Sequence, residues 1–510
     1  MHLRNLAANW IGHAANMAVM FFLSPFIVNT LGKTEYGVWT LMTLLTGYLG
    51  IFDLGVRVST GRHIALYLGR ADHDSVDGTI RTGLGIYSLM GLVILCVAIG
   101  LGFAFPSIFP SSPPAYHGVV RILLPLMALN LVLSAYGAVF ACVLTAHDRF
   151  DLATVLALAV LGLRTAGTVI ALKYGYGIVG LAVVLIMGNI AGLAGAWLVA
   201  RKVYLRLKTW PFMFSGVRVR ELYGYGIWAF IGALSSKLVG QTDLVVVGAL
   251  IGVSAVTPYS VGATLVWYSA FFFSVIGGTL FPAVQRAVGR GDMGEARWLY
   301  LRQVRLALVL GLPVLTGFAV FGERFIRLWM LGPKFDEPSV LQASIIMVIL
   351  AAASMARLPA IGAGGLLDAT GHVRFNALVS ISSSLFTLGL SIFLVLVLGW
   401  GLKGIATGTL VSSVLAGMFL VPWYACGKAG VKWSRFLYEV LGRGVLSAAV
   451  IATWYLVIRS LVPCDTWVLF GVQVALALLG YAPFALFVLI SAEDRRRIWK
   501  AARILPVDAG

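Results

Sequence analysis

Charge is what this sequence has least of. Only 11% of its 510 residues are Asp, Glu, Lys or Arg, against roughly 25% in ordinary soluble domains, and just 20 of them are acidic. With 60% of residues hydrophobic and a mean hydropathy of +0.94, a fold in water could not hide the apolar surface. Cysteine is scarce as well: Cys96, Cys142, Cys426 and Cys464 stand apart with no C-x-x-C spacing, which excludes a disulfide framework and a cysteine metal site. Nucleotide machinery is missing too. Gly32-Lys33-Thr34 imitates the end of a phosphate-binding loop, but Ile27 occupies the earlier glycine position. Gly224-Tyr225-Gly226 imitates a dinucleotide fingerprint, yet it follows no strand. No metal and no cofactor is expected.

What is present is a series of apolar runs of about 20 residues, each long enough at 1.5 Å per residue to cross the roughly 30 Å hydrocarbon core of a bilayer. The runs show no ten-residue alternation, so helices are expected rather than a β-barrel. The expected fold is all-α, a polytopic membrane protein with about fourteen spans, the first over residues 10–31 and the last over 466–491.

With the N-terminus inside, these spans put 27 of the 38 Lys and Arg residues on the inner side and 8 on the outer, leaving Arg164, Lys237 and Arg357 within helices. That asymmetry places both termini in the cytoplasm. It also accounts for the net charge of +18 as topology, and nucleic acid is not expected as a partner.

A shift of 220 residues aligns Ile11-Gly12 with Ile231-Gly232, Gly32 with Gly252, and Gly69-Arg70-x-Asp72 with Gly289-Arg290-x-Asp292. Six spans separate the copies, and an even number preserves orientation. The pattern predicts two parallel six-helix lobes around a central cavity, residues 1–210 and 211–430, followed by two extra helices and a basic tail over 431–510. Segments 61–80 and 282–301 mix Arg, Asp and apolar residues and read as surface-lying helices.

A charge at membrane depth costs several kcal/mol unless it faces water or a partner. Arg164 and Lys237 fall near mid-depth, and Arg357 within a turn of the inner interface. The first two are expected to line the cavity and to meet an anionic substrate, most plausibly a phosphate; Arg357 is a secondary candidate. Asn9, His13 and Asn16 form a polar stripe on the first helix, with Ser236 corresponding to Asn16 under the repeat and Gln241 one turn beyond Lys237. Asp243 is the candidate for coupling to an ion. Asp53 is a second, although its i,i+4 spacing to Arg57 suits a structural ion pair.

The stretch from Leu31 to Trp39 (LGKTEYGVW), with Phe52-Asp53-Leu54-Gly55, Arg62-His63-Ile64-Ala65, Gln241-Thr242-Asp243, Tyr259-Ser260-Val261-Gly262 and Leu328-Trp329-Met330-Leu331-Gly332, resembles the oligosaccharide flippases. These are the O-antigen and exopolysaccharide exporters of the MOP superfamily. The resemblance implies a two-lobed transporter of the bacterial inner membrane that carries an undecaprenyl-pyrophosphate-linked oligosaccharide to the periplasmic leaflet by alternating access. It also implies coupling to protons or sodium ions, and a polysaccharide polymerase and glycosyltransferases as partners.

Three alternatives stay open. A drug or metabolite exporter of the same superfamily would be expected to carry acids rather than bases at depth. A peptidoglycan-precursor flippase would share fold and mechanism. A membrane sugar polymerase or ligase would need more outer chain than the longest predicted outer segment, Glu323 to Pro338, provides.

Overall fold

The computed structural model describes residues 2–50, 55–209, 216, 218–222, 242–463 and 466–485, and among them no β-strand occurs. The first helices are α1 (His2–Leu31), α2 (Lys33–Leu49), α3 (Val56–Gly69), α4 (His73–Ile108), α5 (Pro114–Ala146), α6 (Phe150–Lys173) and α7 (Gly177–Val203). After α8 (Thr242–Ile251) come α9 (Val253–Gly289), α10 (Met293–Met330), α11 (Glu337–Arg357), α12 (Ala363–Ala369) and α13 (Val373–Leu396). The last are α14 (Gly401–Ala429), α15 (Trp433–Leu461) and α16 (Trp467–Phe484).

Among the described residues ten helical stretches are long and apolar enough to cross a bilayer, α11 with α12 counting as one. The seventh expected span, 222–250, lies largely outside the described residues, so the figure of fourteen rests partly on chain that is not described. Phe103, Leu385 and Leu461 are among many large apolar side chains left exposed. In water such a surface would drive aggregation, whereas in a bilayer it faces the solvent it matches.

By packing, the chain divides into one compact unit of Met1–Thr257 with Gly332–Phe335 and another of Pro258–Leu331 with Asp336–Gly510. In the first, α4 packs on α5, α5 and α6 on α7, and α1 along α6. A hydrophobic core with Ile64, Val76, Ile80, Val143 and Ala200 lies at the end where α3 turns into α4. In the second, α10 packs on α11 and α15, α13 on α14, and α14 on α11. The helices beyond residue 430 therefore pack with the second unit.

The element order recurs within the chain. The first residues of α2, α4, α6 and α7 (33, 73, 150, 177) correspond to those of α9, α10, α13 and α14 (253, 293, 373, 401), offsets of 220 to 224. The Gly-Arg-x-Asp motif shows why the sequence repeats where it does. Ala71 (φ 56°) and Gly291 (φ 76°) turn the chain through the left-handed region, and Asp72 and Asp292 then cap α4 and α10 by accepting from Ser75 N and Glu295 N at 3.0 and 2.9 Å. The expected surface-lying helix over 282–301 is corrected: the segment is the end of the long helix α9 and the start of α10. Segment 61–80 joins α3, a separate helix of 14 residues, to α4.

Where α7 ends, Tyr204 is held against the same elbow, its hydroxyl 3.4 Å from the His73 carbonyl oxygen and close to the buried Asp77 carboxylate. Burial together with that carboxylate pushes the Tyr204 phenol up to about 12.

Close approach rather than apolar burial holds helices together in lipid, because hydrocarbon solvates leucine as well as a core does. Gly262 on α9 makes such a contact against backbone in the second unit: a Cβ there would fall 2.3 Å from the Ala343 carbonyl oxygen of α11. Gly262→Ala is expected to cost roughly 1–3 kcal/mol. Gly389→Ala on α13, where a Cβ meets nothing within 4 Å, should be neutral or slightly stabilising. Thermal unfolding of the two variants in detergent checks the contrast.

Candidate substrate-binding site

Arg164 lies near the middle of α6, half-buried. Its stem crosses α7 at Gly188, where a Cβ would sit 2.6 Å from Arg164 Cγ, so only glycine admits the side chain. The guanidinium donates to Asn189 Oδ1, and Asn189 Nδ2 donates to the Asn130 carbonyl and Oδ1 of α5 at 3.2 and 2.5 Å. This chain of contacts joins three helices. Its acceptors are amides, which orient the arginine without neutralising it. Arg164 Nε is buried with no hydrogen-bond acceptor among the described residues.

Arg357 ends α11, but the span does not end there. A tight turn over Leu358–Ala360 and a left-handed Gly362 (φ 89°) carry the chain into α12, which runs on to Ala369. Twelve residues, about 18 Å if helical, separate Arg357 from that end. It therefore stands just before a break in a helical stretch that continues to Ala369. Its backbone faces Gly417 on α14, inside the π-helical stretch Ser413–Leu420, where a Cβ would approach Arg357 Cα to 3.1 Å. The side chain is nonetheless exposed.

A third cation stands at the start of α3. Between α2 and α3 the chain passes Gly55 (φ 75°), and Arg57 follows in the first turn of α3. Arg57 is exposed and lines a cavity of about 220 Å³ with Tyr87, Met90 and Ile94 of α4 and Leu131 and Ser134 of α5. Sequence spacing had assigned Arg57 to Asp53, which lies outside the described residues. Asn130, Asn189 and this role for Arg57 were missed, although an asparagine in the middle of an apolar run is itself a signal of interhelical bonding.

The other expected residues are placed unevenly. Lys237, Ser236 and Gln241 lie outside the described residues, and the side chains of Asn9 and His13 on α1 are not described. Asn16 is exposed on α1. Asp243 stands in α8 beside Thr242, whose hydroxyl is 3.3 Å from the Tyr48 hydroxyl of α2, and its charge acts on the same phenol.

Residues 2–288 match the model of a family described as polysaccharide biosynthesis protein. The chain belongs to that family. It is similar to the uncharacterized membrane protein EpsK of Bacillus subtilis, at 24% identity over 98% of this chain and 97% of that one. A protein named "Putative O-antigen transporter" in Shigella flexneri is 20% identical over 82% of this chain and 96% of its own. Among solved structures, the lipid II flippase MurJ in an inward closed conformation superposes with a TM-score of 0.72 at 14% identity, covering 98% of this chain and 100% of that one. The fold is also shared with an inward-facing multidrug resistance MATE family transporter of the MOP superfamily, at a TM-score of 0.69 and 14% identity over 81% of this chain and 94% of that one.

The Arg164 network makes a separable prediction. Asn189→Leu strands a charged donor and should lower stability by about 2–3 kcal/mol, whereas Arg164→Leu combined with Asn189→Leu should recover most of the loss. A double-mutant cycle on thermal unfolding in detergent measures the coupling. Additive effects would show that the bond contributes nothing.

Proposed function

We propose that this member of a polysaccharide transporter family is a flippase. In this reading it moves an undecaprenyl-pyrophosphate-linked oligosaccharide from the cytoplasmic to the periplasmic leaflet of a bacterial inner membrane by alternating access between two lobes. The recurring element order supports the two-lobe plan, with residues beyond 430 as an addition to it. The positive-inside charge bias supports cytoplasmic termini.

The observation that carries the reading is the exposed Arg357 inside the break of α11–α12. An exposed guanidinium within a span needs water or an anion beside it, and a broken helix in a transporter is tolerated where it lines a cavity. Arg57, exposed on its own cavity in the first unit, offers the same chemistry, and Lys237 is proposed as a further substrate-binding cation. Arg164 adds positive potential from within its amide cradle. A pyrophosphate bridging lipid and sugar is the anion that such cations suit, and guanidinium forks match its oxygens. Asp243 is the proposed coupling carboxylate for a proton or sodium ion. The polymerase and glycosyltransferases of the same polysaccharide are the proposed protein partners.

Deleting the gene should make lipid-linked oligosaccharide accumulate in the inner leaflet, and the wild-type chain should clear it. Arg357→Ala and Arg57→Ala, expressed at wild-type levels, should each cut clearance roughly tenfold or more, the loss of one charge-assisted contact to phosphate. Surface polysaccharide left intact in the deletion strain, with increased drug sensitivity, would replace this reading with a drug exporter.

A further inference from the structure

A second basic site lies in the Pro258–Gly510 unit, apart from the broken spans. The first four turns of α10 present Gly294, Arg297, Trp298, Leu301 and Arg305 along one face. Lys432, just before α15, and Arg435, Phe436 and Glu439 at its start stand opposite, at spacings of three and four. Between the two faces is a cavity of about 640 Å³. Four cations border it and one carboxylate. Glu439 is shared, 2.8 Å from Arg435 and 4.0 Å from Arg305. Arg297 spends its Nε on the Ala429 carbonyl at 2.9 Å, and neither it nor Lys432 has an ion-pair partner among the described residues.

Three features set this cavity at the level of lipid head groups. It belongs to the arginine-rich end of the helices, beside the Arg290–Glu295 turn. Aromatic side chains flank it: Trp433 stacks on Phe436 at 5.4 Å, Tyr438 is 76% exposed, and a neighbouring cavity of about 460 Å³ is walled by Trp423, Tyr424 and Trp433. Tryptophan and tyrosine favour this depth because one end of each ring is apolar and the other wet. One turn further along α15, Val445 and Leu446 are exposed, and Phe419 and Leu420 are exposed on α14, so acyl-facing surface begins where the cations stop.

We propose that this cavity binds the phosphodiester head group of an anionic phospholipid of the phosphatidylglycerol type. The cations meet the phosphate, the aromatic rim holds the glycerol, and the acyl chains lie along the exposed strip on α14 and α15. Because α15 lies beyond the repeat, such a lipid would tie the added helices to α10. The site serves as a permanent lipid seat whether or not the central cavity carries an oligosaccharide.

The test is native mass spectrometry of the full-length, delipidated protein in detergent, titrated with phosphatidylglycerol or phosphatidylcholine. Phosphatidylglycerol is expected to bind at least about tenfold more tightly. Lys432→Gln should weaken it roughly fivefold, and Lys432→Gln with Arg297→Gln about 25-fold, each cation contributing a similar factor. Glu439→Gln removes the lone carboxylate and should tighten binding by about fivefold, a gain that misfolding cannot imitate. Equal binding of the two lipids, or variants that leave phosphatidylglycerol affinity unchanged, would overturn the proposal. Displacement of the lipid by an equal concentration of inorganic phosphate would also overturn it, reassigning the cavity to free phosphate. Flipping activity plays no part in the readout, so failure here is distinct from failure of the flippase reading.

Discussion

Hydrocarbon cannot hydrogen-bond, and most of this structure follows from that constraint. Each backbone amide in a span must find its partner inside the protein, so any interruption of a helix needs compensation by neighbouring backbone, side chains or water. Two places carry both a left-handed glycine and a nearby arginine: Gly55 with Arg57 at the start of α3, and Gly362 after Arg357 in the turn from α11 to α12. The π-helical stretch Ser413–Leu420 lies directly against the second of these. A widened helical turn leaves carbonyls less well paired, which is tolerable beside a guanidinium and costly beside lipid.

The same constraint explains which parts of the architecture could be read from sequence. Span length and the absence of charge follow from bilayer thickness, so the all-helical membrane class was legible from composition alone. The repeat was legible through Gly-Arg-x-Asp because that motif encodes a definite geometry, a left-handed turn followed by a capping carboxylate, and the structure shows the geometry twice. Its continuation was not legible. Asp148 and Gly371 both take positive φ at equivalent turns, yet share no residue type. What recurs there is a backbone conformation that aspartate and glycine both tolerate.

The site was legible only as a set of residue types. Arg164 and Arg357 were visible as charges in apolar runs, because burying a cation in lipid is costly enough to be rare. Their surroundings were not. Asn130, Arg164 and Asn189 lie on three helices, and nothing local in the sequence says that Gly188 opens the gap through which they meet. Nor does hydropathy show that the helix ending at Arg357 breaks and resumes as α12.

The contrast between Arg164 and Glu439 shows how the chain distributes charge. A carboxylate beside Arg164 would have made its burial cheaper, but would also have cancelled its field. Two amides hold the guanidinium in place and leave the positive charge intact at a depth where the dielectric is low and its reach long. At the lipid-facing rim, where water screens, Glu439 can sit among Arg435 and Arg305 and remove little of the net attraction. In the proposed cycle the deep charges have to attract an anion and then release it across the membrane. Neutral partners suit that task, because the anion replaces water beside the cation instead of displacing a built-in carboxylate. With the cytoplasm negative, each negative charge carried outward gains about 2.3 kcal/mol per 100 mV, so release toward the outer leaflet is favoured by the substrate's own charge.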